Sequence, residues 1–149
     1  RRVLGDCSGS DKHYSFRIAD SDSGMVHLFE CAIDLLSYAT LEKMAGRDWR
    51  KDNLVSLAGV YLPKERIEDS TTPAALVKYL NEKPQIKKIF LNFDNDNAGR
   101  KASLALKTIL PSKYEVIDSP PPCGKDYNDF LCFQLGIHRN KTKERTNER

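Results

Sequence analysis

The chain of 149 residues is 40% hydrophobic and 30% charged, a composition that predicts one globular domain and excludes disordered and fibrous classes. No apolar run approaches the roughly 20 residues that span a bilayer, and no signal-peptide pattern opens the chain, so no membrane partner is expected. The formal net charge is only +3. Because the sequence begins at Arg1 rather than Met, we expect a piece of a longer protein.

The start of the chain predicts a β-hairpin followed by a helix. Residues 14–19 read as extended, the turn-rich segment 20–24 follows, and residues 25–29 predict a strand that pairs with the first. A helix is predicted over 31–45, and Gly46 is expected to end it. Its pattern rests on four residues at helical spacing: Ile33, Leu36, Thr40 and Met44.

The rest of the chain continues the alternation of strands and helices. The predicted elements are a strand over 54–58, a helix capped by Thr72 that stops before Pro84, a strand over 89–93, a helix over 98–110, a strand over 114–117 and a helix over 127–135. Helices between strands carry the chain back across the sheet, so the strands are expected to be parallel. The sequence therefore predicts an open, doubly wound α/β sheet.

The end of the chain is basic. Between Arg139 and Arg149 five basic and two acidic residues give a net charge of +3, which equals that of the whole chain. We predict that residues 138–149 form a disordered tail or linker, and that residues 1–137 form a single domain with its core at about 25–136. The body is then neutral, which excludes a simple basic clamp on nucleic acid.

The four cysteines contain no C-x-x-C pair, so a structural zinc site is not expected. A domain of this size does not need disulfides, and Cys31 and Cys132 lie in apolar helical patterns where a free cysteine packs as a small hydrophobe. We interpret all four as reduced, in a cytoplasmic protein.

Carboxylates follow two of the predicted strands. Glu30 comes directly after the strand at 25–29, and Asp94, Asn95 and Asp96 follow the strand at 89–93. Ligands of open α/β sheets bind beyond the carboxyl ends of the strands, where these acids would converge. Such oxygen ligands suit Mg²⁺ or Mn²⁺ with substrate phosphate completing the shell. An equally ordinary interpretation is that Asp94 and Asp96 only cap the next helix.

A second acidic set lies near the end of the domain, around Asp126 and Asp129. Alone it is also consistent with a helix start, and Lys125 with an exposed lysine. Asp34 lies one helical turn after Glu30, so it is expected at the same edge or as a first-turn helix acid.

In order and placement these motifs resemble the Toprim family, whose pattern is a Glu after one strand and Asp-x-Asp after a later one. The segment FDNDNAGRKA at 93–102 is similar to the DnaG-type primase version. Primase-like members also carry an Asp four residues after the Glu, as Asp34 does here, and a late cluster such as KDYND at 125–129. Cys31 departs from the Gly that such members have after the Glu. The segment 29–38 also resembles Toprim modules of bacterial mobile-element proteins.

The resemblance covers roughly residues 26–135 and implies a Toprim-type, Rossmann-like open sheet, mostly parallel and flanked by helices. It implies that Glu30 is a general acid or base, and that Asp94 and Asp96, with Glu30, bind Mg²⁺ or Mn²⁺. Further residues are implied in lesser roles: Asp34, Asp126 and Asp129 as supporting or second-metal acids, and Lys125 and Arg100 as phosphate contacts. For Lys125 and Arg100 an exposed surface role is an equally good interpretation.

Two function classes remain open from the sequence. The first is a catalytic module for phosphoryl transfer on DNA or RNA, primase-like or nuclease-like, within a larger DNA-processing protein that supplies flanking domains. The second is a non-catalytic module that binds metal and nucleic acid or a partner protein. Aromatic residues make up only 9% of the chain, which weighs against a base-stacking platform for single strands.

Overall fold

The structure, a computed structural model, describes residues 8–57 and 61–137, and in these residues five strands alternate with four α-helices. A 3₁₀ turn, Ile67–Asp69, precedes the second helix. In chain order the elements are β1 Arg17–Ile18, β2 Met25–Phe29, α1 Ala32–Met44, β3 Asn53–Ser56, α2 Ala74–Glu82, β4 Lys88–Leu91, α3 Asn97–Ile109, β5 Glu115–Asp118 and α4 Tyr127–Gln134. The predicted α/β class is confirmed, and the predicted tail at 138–149 lies outside the described residues.

The five strands form one sheet in the order β1-β3-β2-β4-β5. Strand β2 lies at the centre and pairs in parallel with β3 and β4, and β5 pairs in parallel with β4. Only β1 is antiparallel, on the outer edge of β3. The predicted open, mostly parallel sheet is therefore confirmed, with the carboxyl ends of β2 and β4 side by side.

The predicted N-terminal hairpin is wrong in its pairing. Strand β1 bonds to β3 instead of β2, because both edges of β2 are already occupied by parallel partners. The side chain of Asn53 holds the connecting loop in place: its Oδ1 accepts the N–H of Ser21 at 3.0 Å, and its Nδ2 donates to the carbonyls of Ser23 and Met25. The turn therefore leads the chain over β3, a long-range contact that local pattern does not encode.

Apolar residues cover both faces of the sheet, as alternation along β2 requires. The larger cluster joins the sheet to α2 and α3 and includes Val26, Leu28, Leu76, Ile89, Leu106 and others. The smaller cluster joins the opposite face to α1 and α4: Phe29, Leu35, Ala39, Leu54 and Tyr127. The acids at the carboxyl edge thus stand on a sheet that is packed from both sides.

Helix α1 forms where predicted but turns a different face to the core. Ile33, Leu36 and Met44, which carried the helical pattern, are 61%, 47% and 51% exposed. The buried residues of α1 are Asp34, Leu35, Ser37 and Ala39. Two of these four are polar, so apolar spacing alone selected the wrong face.

The helix ends follow local rules with one exception. Gly46 lies past the end of α1 with φ +75°, as expected of a glycine that ends a helix. Helix α2 has Pro73 at its N-cap position rather than Thr72. Within the described ranges, no helix is long and apolar enough to cross a membrane.

Candidate functional site

Glu30 and the Asp94–Asp96 segment lie at the same edge of the sheet. Glu30 follows the last residue of β2, and Asp94 lies three residues after the end of β4, the parallel neighbour of β2. The backbone ladder continues past the strand, since the N–H of Asn92 donates to the carbonyl of Leu28 at 2.9 Å. The predicted convergence of these acids follows from this pairing.

Glu30 is the most strongly perturbed acid at this edge. Burial raises its pKa to about 7, and the charges of Asp94 and Asp96 contribute in the same direction, while the backbone amide of Asp94 partly opposes them. Its Oε1 is buried and has no hydrogen-bond partner among the described residues. A half-buried carboxyl with a pKa near neutrality and a vacant acceptor is suited to proton transfer or to an added cation.

The two aspartates of the Asp-x-Asp segment differ in environment. Burial and the charge of Asp34 raise the pKa of Asp94. The pKa of Asp96 is lowered, chiefly because its Oδ1 accepts the backbone N–H of Gly99 at 2.9 Å. Asp96 is therefore the N-cap of α3 as the structural interpretation predicted, and its Oδ2 remains directed to other partners.

Lys125 is the counter-charge of this pair. Its Nζ lies 3.5 Å from Oδ2 of Asp94 and 3.3 Å from Oδ2 of Asp96. The main chain joins the same two loops, because the N–H of Asn95 donates to the carbonyl of Lys125 at 2.6 Å. Lys125 is an exposed lysine, as one of the two sequence interpretations predicted, and its ammonium lies between two acids.

The second acidic set brings α4 to the same edge. Asp126 caps α4 by accepting the N–H of Asp129 at 2.7 Å, and Oδ2 of Asp129 accepts the N–H of Lys125 at 3.3 Å. Asp34 is buried and bridges α1 to α4: its Oδ1 accepts the N–H of Asn128 at 3.3 Å. Asp34, Asp126 and Asp129 therefore hold the loop that carries Lys125.

Cys31 differs from its predicted role as a core residue. It is exposed at the N-cap of α1, and its Sγ donates to Oδ2 of Asp34 at 2.9 Å. Burial is the main reason that the pKa of Asp34 is raised, and the thiol contact partly opposes the shift. The residue after Glu30 thus supports a buried carboxylate.

Arg100 binds protein groups at the strand ends. Its guanidinium donates to the carbonyls of Phe93 and Asp94 at 3.2 Å each, and Nη1 lies 2.5 Å from Oδ2 of Asp118. These contacts tie the first turn of α3 to the ends of β4 and β5. With its donors occupied in this way, Arg100 fixes the position of Asp94.

A buried polar network lies beneath the site and was missed by sequence analysis. Nδ1 and Nε2 of His27 lie 3.3 Å from Oδ1 of Asn92 and 3.4 Å from Oδ2 of Asp52, and burial lowers the histidine pKa. Nδ2 of Asn92 donates to the hydroxyl of Tyr127 at 3.0 Å, and that hydroxyl donates to the carbonyl of Ser119 at 2.9 Å. The available signal was a polar residue within each of two apolar stretches, VHLF at 26–29 and FLNF at 90–93.

Replacing Tyr127 by Phe is expected to cost about 1–3 kcal/mol of unfolding free energy, because it leaves the buried Nδ2 of Asn92 without its acceptor. Urea unfolding of Tyr127→Phe against wild type measures this. Tyr114→Phe, at a partly buried tyrosine next to β5, is the control and is expected to cost far less. Equal losses in both variants would contradict a structural role for the network.

The donor chemistry of this edge fits a hard divalent cation. Three carboxylates from Glu30, Asp94 and Asp96 supply oxygen ligands, and the buried Oε1 of Glu30 lacks a partner among the described residues. Within residues 8–57 and 61–137, however, no three His, Cys, Asp or Glu side chains lie close enough together to hold an ion as they stand. These carboxylates are the type of ligand that a divalent cation prefers, and the ammonium of Lys125 contacts two of them, Asp94 and Asp96.

The chain is similar to a known protein family and to a solved structure. No curated protein matches the chain significantly. One solved structure, the primase fragment of the bacteriophage T7 primase-helicase protein, is 25% identical with a TM-score of 0.47, over 76% of this chain and 40% of that one. The chain thus spans less than half of the primase fragment. A model of the Toprim-like family matches residues 27–131, well over half of the sequence. The protein therefore belongs to the Toprim-like family.

Proposed function

We propose that this chain is a catalytic module for magnesium- or manganese-dependent phosphoryl transfer on nucleic acid. The observation that carries the proposal is the position of Glu30 beside Asp94 and Asp96 at adjacent strand ends in a member of the Toprim-like family. The reaction would be primase-like polymerisation or nuclease-like cleavage of DNA or RNA.

Asp94 and Asp96 would hold the ion, with Glu30 at its side. When bound, such an ion polarises the phosphodiester and stabilises charge on the attacking or leaving oxygen. Asp96 is already fixed by the N–H of Gly99, and Asp94 by the contacts of Arg100 to its carbonyl. The carboxylate of Asp96 and the backbone of Asp94 are therefore held by the start of α3 before any ligand arrives.

Glu30 would transfer the proton. A pKa of about 7 means that protonated and ionised forms are both populated near neutral pH, as a general acid or base requires. Burial excludes water from part of the carboxyl, and the neighbouring acids disfavour its charge. The resemblance to the family is consistent with a Glu30 carboxyl that deprotonates the nucleophile or protonates the leaving group.

The remaining acids would support the site from α1 and α4. Asp34, Asp126 and Asp129 position the Lys125 loop, or complete a second ion shell in the presence of substrate. We assign Arg100 to positioning of Asp94 rather than to phosphate. The whole module, residues 1–137, would act within a longer bacterial protein, of the mobile-element kind, whose flanking domains present the nucleic acid.

The alternative is a non-catalytic module that binds nucleic acid or a partner. One observation favours it: Lys125 contacts both Asp94 and Asp96 and offsets one of their two negative charges without any ion. In that case the acids would serve as a structural link between the α3 and α4 loops, and catalysis would lie elsewhere in the full-length protein.

Calorimetric titration with Mn²⁺ and Mg²⁺ tests the proposal. Wild type is expected to bind saturably, and Asp94→Asn/Asp96→Asn is expected to lose binding at least tenfold, because amide oxygens lack the charge of carboxylates. The matched control is Asp22→Asn/Asp48→Asn, two exposed acids that precede strands β2 and β3 and so lie at the opposite edge.

Cleavage and primer-synthesis assays on single- and double-stranded substrates follow in the same metal. Equal metal binding in wild type and the Asp94/Asp96 variant would contradict the metal site. Metal binding in the wild type without activity above that of the double variant, in the presence of the native flanking domains, would favour the binding module.

A further inference from the structure

We propose that Lys125 is the resident cation of the metal-free site, and that a divalent ion has to displace its ammonium group to bind Asp94 and Asp96. This inference rests on the proposed function, because it takes these two aspartates as the metal ligands. It assigns Lys125 a role that neither family membership nor a simple phosphate contact supplies.

The first support is the geometry of the ammonium group. Nζ of Lys125 lies within 3.5 Å of one carboxylate oxygen from each aspartate, so it bridges the pair. Because Oδ1 of Asp96 already accepts the N–H of Gly99, an ion bound to Asp96 would use the Oδ2 that faces Lys125. Two cations cannot occupy this position together, since they would repel each other at contact distance.

The second support is that backbone contacts fix the loop that carries Lys125. Its carbonyl accepts the N–H of Asn95, and its N–H donates to Asp129. Gly124 precedes it with φ +84°, a conformation that side chains rarely adopt, and a Cβ there would lie 2.8 Å from Cβ of Asp129. The main chain is therefore fixed relative to the aspartates it faces.

The third support is that the side chain itself is free to leave. Lys125 is 56% exposed, and 3.3 and 3.5 Å are longer than the roughly 2.8 Å of a tight charge-assisted hydrogen bond. Its ammonium can rotate into solvent without any change in the loop. The ammonium offsets one of the two negative charges, and at this exposure water screens the contact.

The fourth support comes from Oε1 of Glu30, which Lys125 does not satisfy. The ammonium pairs with two of the three acids, while Oε1 of Glu30 has no hydrogen-bond partner within the described part of the chain. A monovalent group therefore satisfies the site only in part. Once displaced, the ammonium remains beside the acids, where a substrate phosphate would be its next partner.

The test is Mn²⁺ affinity, measured by calorimetry and by electron paramagnetic resonance of free Mn²⁺, in wild type, Lys125→Met and Lys125→Arg. Methionine is unbranched and one atom shorter than lysine, and it removes the competing charge, so Lys125→Met is expected to bind Mn²⁺ roughly tenfold more tightly. Lys125→Arg is expected to stay within about threefold of wild type, because the charge remains. Lys101→Met, at an exposed lysine of α3, is the control and is expected to leave the affinity unchanged.

Affinity in Lys125→Met equal to or below that of wild type would overturn the inference. If wild type binds Mn²⁺ saturably and Lys125→Met binds it no better, only the displacement is contradicted and the proposed metal site stands. If neither protein binds Mn²⁺, the proposed function fails together with the inference. Thermal unfolding of each variant checks that the fold is intact, which is expected because the side chain is largely exposed.

Discussion

Glu30→Gln is expected to lower the rate of phosphodiester cleavage or primer synthesis by about 10²–10⁴-fold, because glutamine cannot transfer a proton. Metal affinity should fall much less than in the Asp94→Asn/Asp96→Asn variant, since both aspartates remain. Single-turnover rates and Mn²⁺ titration of the same preparations measure the two effects. Unchanged rates in Glu30→Gln would contradict its role as general acid or base.

The same variant carries a stability signature in metal-free protein. The folded pKa of Glu30, about 7, lies above its ordinary value of 4.5, so the folded state binds the proton more tightly. The resulting stabilisation is complete below pH 4.5 and is lost as pH rises through 7. After a discount for the exposed half of the group, the loss amounts to about 1–2 kcal/mol.

Urea unfolding in chelator between pH 4.5 and 8 measures this loss, and Glu30→Gln is expected to flatten the decline. Glu115→Gln, at an exposed acid on the edge strand β5, serves as the control and is expected to retain the wild-type slope. Parallel pH profiles for wild type and Glu30→Gln would show that Glu30 is not the buried acid described here.

Gly99→Ala is expected to destabilise the fold by about 1–3 kcal/mol, although alanine is ordinarily more stable than glycine inside a helix by about 1 kcal/mol. A Cβ at this position would lie 2.1 Å from the carbonyl oxygen of Asp94 and 2.8 Å from its carbonyl carbon. These are backbone atoms of Asp94, so the main chain that follows β4 has to move.

Denaturant unfolding and Mn²⁺ titration of Gly99→Ala measure the two consequences. Metal affinity is expected to fall along with stability, since the shifted backbone carries a proposed ligand. Asn97→Ala, at an exposed position of the same helical turn, is the control and is expected to stay within about 0.5 kcal/mol of wild type. A Gly99→Ala variant as stable as wild type, or more stable, would mean that α3 packs less closely against the chain that follows β4.

The element order was predictable because each strand and helix carries a local signal. Strand β2 occupies the predicted residues 25–29, and α3 and α4 begin within one residue of the predicted starts. The placement of Glu30 and Asp94 followed from one further rule, that parallel strands end at a common edge. The site could be located to this extent without any contact being known.

The predictions that were wrong concern features that depend on tertiary contacts. The pairing of β1 depends on both edges of β2 being occupied and on the side chain of Asn53, which lies over thirty residues from the turn it holds. The core face of α1 includes Asp34, whose burial depends on Asn128 of α4. Lys125 stands between two acids for the same reason, since no local pattern connects residue 125 to residue 94.

The central position of β2 has a consequence for synthesis of the chain. Met25 pairs with Lys88, so the middle of the sheet cannot close until more than sixty further residues have left the ribosome. Lys125 and Asp126, which complete the acidic edge, emerge later still. A nascent chain therefore exposes β2 without its partner β4 before the acidic edge can form. Such long-range pairing is typical of slow folding. Because Lys125 follows all five strands in the chain, it can contact Asp94 and Asp96 only after the whole sheet has been synthesised.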